Sequence, residues 1–131
     1  MYSMIRNLAT VAFSVMTFTS VQAASDTAQR AESQYKAAME RCEPLKGNAQ
    51  DVCEKDAKAA RERAKADDKA ARKGTPEARA DAGESKARAE YKAAMERCES
   101  LKGKEHSACE SKAKATLDRH QADADKQRRT N

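Results

Sequence analysis

Apolar residues recur along this chain in steps of three and four, and most of them are alanine. The first run is Ala24, Ala28, Ala31, Tyr35, Ala38, Cys42 and Leu45. The second is Cys53, Ala57, Ala60, Ala64 and Ala71, with Asp67 as its one gap. Such a rhythm marks the seam of one helix against another. Helix punctuation falls between the runs. Ser25-Asp26 offers an N-cap, Gly47 a left-handed stop, Asn48 the next cap, and Gly74 a second stop. Thr75-Pro76-Glu77 supplies a cap, a first-turn proline and an early acid, and Gly103 repeats the stop. Four helices are predicted, over about 26–46, 49–73, 76–102 and 105–127.

The stretch YKAAMERCE occurs at Tyr35–Glu43 and again, unchanged, at Tyr91–Glu99. Each copy runs on through Leu-Lys-Gly to a second cysteine. Folding the chain about Gly47–Asn48 brings Cys42 to Cys53, Ala38 to Ala57, Tyr35 to Ala60 and Ala31 to Ala64. The same operation about Gly103–Lys104 brings Cys98 to Cys109, Ala94 to Ala113 and Tyr91 to Thr116. One symmetry thus accounts for both the cysteine spacing and the alanines. The predicted fold is all-α: two tandem antiparallel helical hairpins with alanine-rich coiled-coil seams, each closed by one disulfide. Residues 24–74 make the first hairpin, and residues 75–131 the second with a frayed basic C-terminal tail. Pro44, where the second copy has Ser100, predicts that the last turn of the first helix is kinked or ends early. With His120 opposite Ala87, Glu84 opposite Asp123, and Gly83 in mid-helix, the lower half of the second hairpin is expected to splay.

The first 23 residues are of another kind. Arg6 is their only charge, residues 7–18 are largely apolar, and Val21-Gln22-Ala23 has small residues where a signal peptidase reads. Residues 1–23 are therefore expected to be a signal peptide cleaved near Ala23–Ala24, and the rest to be periplasmic or secreted. Retention of this segment as a membrane anchor is the alternative, but Thr10, Ser14, Thr17, Thr19 and Ser20 dilute it. The chain beyond the leader contains 25 alanines and few large apolar side chains. At about 25 cal/mol per Å² such residues do not offset the ordering entropy of a compact globule. An oxidising compartment supplies what is missing, since small domains without thick cores are stapled there by disulfides. A bridge around about a dozen residues contributes roughly 3 kcal/mol.

Candidate chemistry adds little. Ten residues lie between the paired cysteines, and His106 and His120 are replaced by Gln50 and Ala64 in the first copy, so a duplicated metal site is not expected. Glu43, Glu54, Glu99 and Glu110 flank the cysteines and disfavour a reactive thiolate. The reading is non-enzymatic and without cofactor. Net charge is +5, falling to +4 without Arg6, and lysine, arginine and acids alternate along the helices. Two aromatic residues after the leader give no platform for stacking on bases, so nucleic acid is not an expected partner. Tyr35, Met39 and Leu45, with Tyr91, Met95 and Leu101, form the candidate partner face. They are also the largest core residues available. An envelope protein or an anionic envelope surface is the expected partner, and self-association through leftover seams stays open.

The pattern Tyr-Lys-…-Cys-Glu-…-Leu-Lys-Gly-Asn-Ala-…-Asp-…-Cys-…-Ala-Lys-Ala over Tyr35–Ala59 resembles short exported repeats of small proteobacterial envelope proteins, sometimes labelled TolA-like. The second copy, Tyr91–Ala115, departs from it at Lys104, Glu105 and Ser107. The resemblance implies an envelope setting and no activity. The expected function is a structural or protein-interaction module of the cell envelope. The alternative is a hydration- or stress-protectant helical protein, partly disordered when dilute, to which the segment AKAARERAKADDKAARKG is suited. Lys46 and Lys102 separate the cysteines of each copy for trypsin. A non-reducing tryptic map of native protein should join CEPLK to GNAQDVCEK and CESLK to EHSACESK. Free thiols, or bridges between copies, would overturn the hairpin fold.

Overall fold

The computed structural model describes residues 20–130, with side chains from Asp26 onward; the expected leader up to residue 19 lies outside the described residues. Four helices are arranged one after another: α1 (Ser20–Cys42), α2 (Asn48–Lys73), α3 (Pro76–Cys98) and α4 (Gly103–Arg129). No strand occurs among the described residues, and no described helix is long and apolar enough to cross a membrane. The backbone of α1 runs through Ala23–Ala24.

Both predicted disulfides are present. Cys42–Cys53 and Cys98–Cys109 each span a Cα–Cα distance of 5.6 Å, ordinary for an unstrained bridge. Cys42 and Cys98 are wholly buried. The two tips have the same build. Helices α1 and α3 end at their cysteines, four residues earlier than the glycine stops predict. The Leu45 N–H donates to the Cys42 carbonyl at 3.0 Å, and the Leu101 N–H to that of Cys98 at 2.9 Å. Gly47 and Gly103 then reverse the chain at φ 57° and 56°, where a side chain would be strained. Pro44 therefore does not set the first tip apart, because Ser100 allows the same turn. Both tips share the Leu-Lys-Gly reversal, in which the leucine N–H turns back to the cysteine carbonyl and ends the helix there.

The seams need one correction. Ala31 and Ala57 are buried as predicted, but Ala60 and Ala71 are exposed. Arg61, one residue on, occupies the place opposite Tyr35, with its guanidinium carbon 4.2 Å from the ring centroid. Glu32 receives the same guanidinium at 3.6 Å and Lys65 at 3.9 Å. The guanidinium itself stacks on the ring and reaches Glu32 from there, which the small methyl of Ala60 cannot do.

A second face of α2, not predicted by the heptad count, carries buried Ala59 and Ala70. It packs on α3, and this is the most extensive helix contact among the described residues. Gly74 closes α2 in the left-handed conformation at φ 66°. The Thr75 hydroxyl then accepts the Ala78 N–H at 3.1 Å and Pro76 starts α3, so the chain reverses within two residues. Along the pair, Arg97 meets Asp56, Arg63 meets Glu90 at 3.1 Å, and Lys86 meets Asp67 at 2.7 Å. Exposed pairs of this kind contribute at most about 1 kcal/mol each, but they fix the register of two smooth alanine surfaces. Helix α3 is thus buried along two lines. Ala78, Ala82 and Ala93 face α2, while Ala80, Ala87 and Cys98 face α4.

The far end of the second hairpin does not splay. Helix α4 continues to Arg129, Ala124 is buried opposite Gly83, and Arg128 reaches Asp81 at 2.9 Å and Glu84 at 2.8 Å. Among the described residues each helix touches only its neighbours in the chain. The result is a serial array of helices and not a closed four-helix bundle.

Two substitutions test this packing in opposite directions. Ala93 is 1% exposed between α2 and α3, so Ala93→Leu should overpack that contact and cost about 1–3 kcal/mol. Gly83 has nothing within 4 Å of where a Cβ would stand, so Gly83→Ala should stabilise by roughly 0.5–1 kcal/mol. Urea midpoints of the oxidised protein should move down and up respectively.

Candidate functional site

Because successive helices alternate in direction, the α1–α2 and α3–α4 tips lie at the same end of the array. The Asn48 side chain, at the start of α2, donates to the Glu96 carbonyl near the end of α3 at 3.1 Å and joins the two tips. Leu45 and Leu101 are the exposed large apolar side chains of the described residues, at 37% and 36%. Each is held between a disulfide and a left-handed glycine, so its position is fixed on both sides.

The six residues of the candidate partner face do not form one surface. Leu45 and Leu101 are exposed at the two tips, at one end of the array. Tyr35 lies half-buried under Arg61, and Met39 and Met95 are half-buried beside their seams. Tyr91 opens instead onto a trough that runs over α3 between α2 and α4.

This trough has a volume of about 700 Å³ and is open to solvent. Its floor is alanine, chiefly Ala59, Ala87, Ala93 and Ala94, with Tyr91 and Leu117 as its largest apolar side chains. Lys112 lies towards the disulfide end beside the Asp56–Arg97 pair, and His120 towards the other end beside Arg63–Glu90. Sequence reading singled out Tyr91 but not Leu117 or Lys112. The signal available was the departure of these positions from Arg61 and Asp56 of the first copy.

All four cysteines are spent in disulfides, and no cluster of three metal-ligating side chains occurs among the described residues. His106 contacts Glu110 at 3.5 Å on the surface of α4. The described groups with clearly displaced proton affinities belong to the clamp at the open end. Arg128, then Arg88, donates hydrogen bonds to the Glu84 carboxylate and holds its pKa below the ordinary glutamate value, while the Glu84 and Asp81 carboxylates raise that of Arg128. Two disulfides of this kind are at home in an oxidising compartment. No family model, curated protein or solved structure matches the chain.

The clamp has a pH signature. With its folded pKa lowered, Glu84 binds fewer protons folded than unfolded, so its stabilising effect is complete above the ordinary value of about 4.5. That effect is lost as pH falls further, through the lowered value. Glu84→Gln should therefore melt below the unmodified protein at neutral pH, and the gap should close on acidification below about 4.5. A gap independent of pH would show that the Arg128 contact does not act through the carboxylate charge.

Proposed function

We propose that the chain is a non-enzymatic protein-interaction module of the cell envelope, exported to the periplasm and docking through the paired tips of its two hairpins. The observation that carries this reading is the exposure of Leu45 and Leu101 at the same end of the array, in two copies of one disulfide-braced turn that Asn48 ties together. An isolated exposed leucine needs no explanation, but two copies presented at one end make a two-pronged apolar contact. Engagement at both prongs multiplies affinity without requiring a large area at either. The expected partner is an envelope protein. Each tip balances its lysine with a glutamate, Lys46 with Glu43 and Lys102 with Glu99, so attraction to an anionic surface is the weaker reading. The apolar leader, the disulfides and the resemblance to exported repeats support the envelope setting.

A photo-crosslinking residue placed in turn at positions 45, 101 and 71 of the protein in its native envelope tests the reading. Positions 45 and 101 should yield the same adduct, and position 71, also exposed but far from the tips, should not. Equal labelling at all three, or adducts unchanged after reduction of the disulfides, would count against docking by the tips. A coil spectrum from dilute oxidised protein would favour the protectant instead.

A further inference from the structure

We infer that the trough over α3 is a binding site for a small amphiphilic organic anion, with a flat or acyl apolar body and one acidic head. This site is separate from the tips, and its occupancy does not depend on their partner.

The two copies of the repeat point to it. On α3 the lining residues Tyr91, Ala93, Ala94 and Arg97 belong to the unchanged block and have counterparts in Tyr35, Ala37, Ala38 and Arg41. On α4 the lining residues Cys109 and Ala113 repeat Cys53 and Ala57, whereas Lys112, Thr116, Leu117 and His120 stand where the first hairpin has Asp56, Ala60, Arg61 and Ala64. These last four positions differ, although both hairpins fold alike around the same bridge. Their change is not required by the hairpin.

The effect of the differences is to uncover an apolar surface and to leave positive charge beside it. In the first hairpin Arg61 lies over the Tyr35 ring. Leu117 replaces that guanidinium in the second, so the Tyr91 ring borders the trough with no cation over it among the described residues, and the neighbouring floor is alanine. Charge along the walls is not balanced. Arg97 and Arg63 are matched by Asp56 and Glu90. Among the described residues, Lys112 has no ion-pair partner. An acidic head at Lys112 would complete the set, with the apolar body lying along Tyr91 and Leu117.

Size selects a small ligand. From Cys109 to His120 the α4 wall rises about 16 Å, at 1.5 Å per residue. That is about three turns of helix, the length of a small amphiphile lying along it. The volume of about 700 Å³ lies within the range of small-molecule sites.

The test uses the oxidised protein and anilinonaphthalene sulfonate, a flat aromatic anion whose emission rises in apolar surroundings. Saturable binding of one dye per chain is expected, weakening as salt is added. Lys112→Asp and Leu117→Arg install residues that the first hairpin already carries at the equivalent places, so each should fold. Each should weaken binding by about tenfold or more, since a hydrogen bond to a charged group contributes roughly that factor. A Leu45→Ser, Leu101→Ser double variant should bind the dye normally, which separates this site from docking at the tips. Dye uptake without a one-to-one limit, or affinity unchanged in both Lys112→Asp and Leu117→Arg with helicity intact, would overturn the site.

Discussion

Helices that meet through alanine come close together but remove little apolar surface from water, and this limit governs the whole molecule. Contact along such a seam gives a fraction of what leucine layers provide, while the ordering of each residue costs as much as in any other helix. The covalent bridges act on the other side of the balance. By closing a short loop near each turn, Cys42–Cys53 and Cys98–Cys109 restrict the unfolded chain before any packing begins. With the tip already formed, two alanine faces need only zip away from it. Even the polar details obey the same division of labour. Ion pairs such as Arg63–Glu90 and Lys86–Asp67 add little energy, yet they stop two smooth surfaces from sliding.

The small seam residues also explain why the helices form a row. Helix α3 has alanine on two opposite sides, and each side is taken by one neighbour. Nothing large remains on the described helices to pull α1 against α4 and close a bundle. An open row leaves its broad faces to solvent, and on one of them α2 and α4 frame the trough over α3. The same geometry sets both braced turns at one end. Recognition surfaces thus arise here from the lack of a deep core, on a scaffold that has little else to offer.

Much of this was legible in the sequence because the cysteines and the glycine turns obey one reflection. A residue and its image are equidistant from the tip, and both disulfides result from that alone. The α2–α3 face was not legible. Ala59 and Ala70 lie on the same helix as the alanines of the first seam, and in a chain so rich in alanine a second stripe has no contrast with its surroundings. Arg61 in place of Ala60 was missed for a related reason, since a hydrophobic count cannot credit an arginine that covers a ring. Pro44 marked an early helix end that does occur, but the same end is found at Cys98 without a proline. The clamp of Arg128 on Asp81 and Glu84 needed the two helix ends to be seen together. As for the candidate site, the tip leucines were visible as part of the repeat. The trough was not, because it lies in what the two copies do not share.

Of the three reversals among the described residues, only that at Gly74–Thr75 has no covalent brace. Under tension applied at the ends of the four-helix array, the two braced turns behave as fixed pulleys. Each bridge carries load directly from one helix to the next and keeps the short loop it spans out of the extensible length. The α2–α3 contact can instead part from the braced end downward until only the two-residue turn connects the hairpins. Pulled in this way each hairpin also peels from its open end, where α1 and α4 are loaded, and the peeling stops at the bridge, so that each tip stays intact after the row has opened.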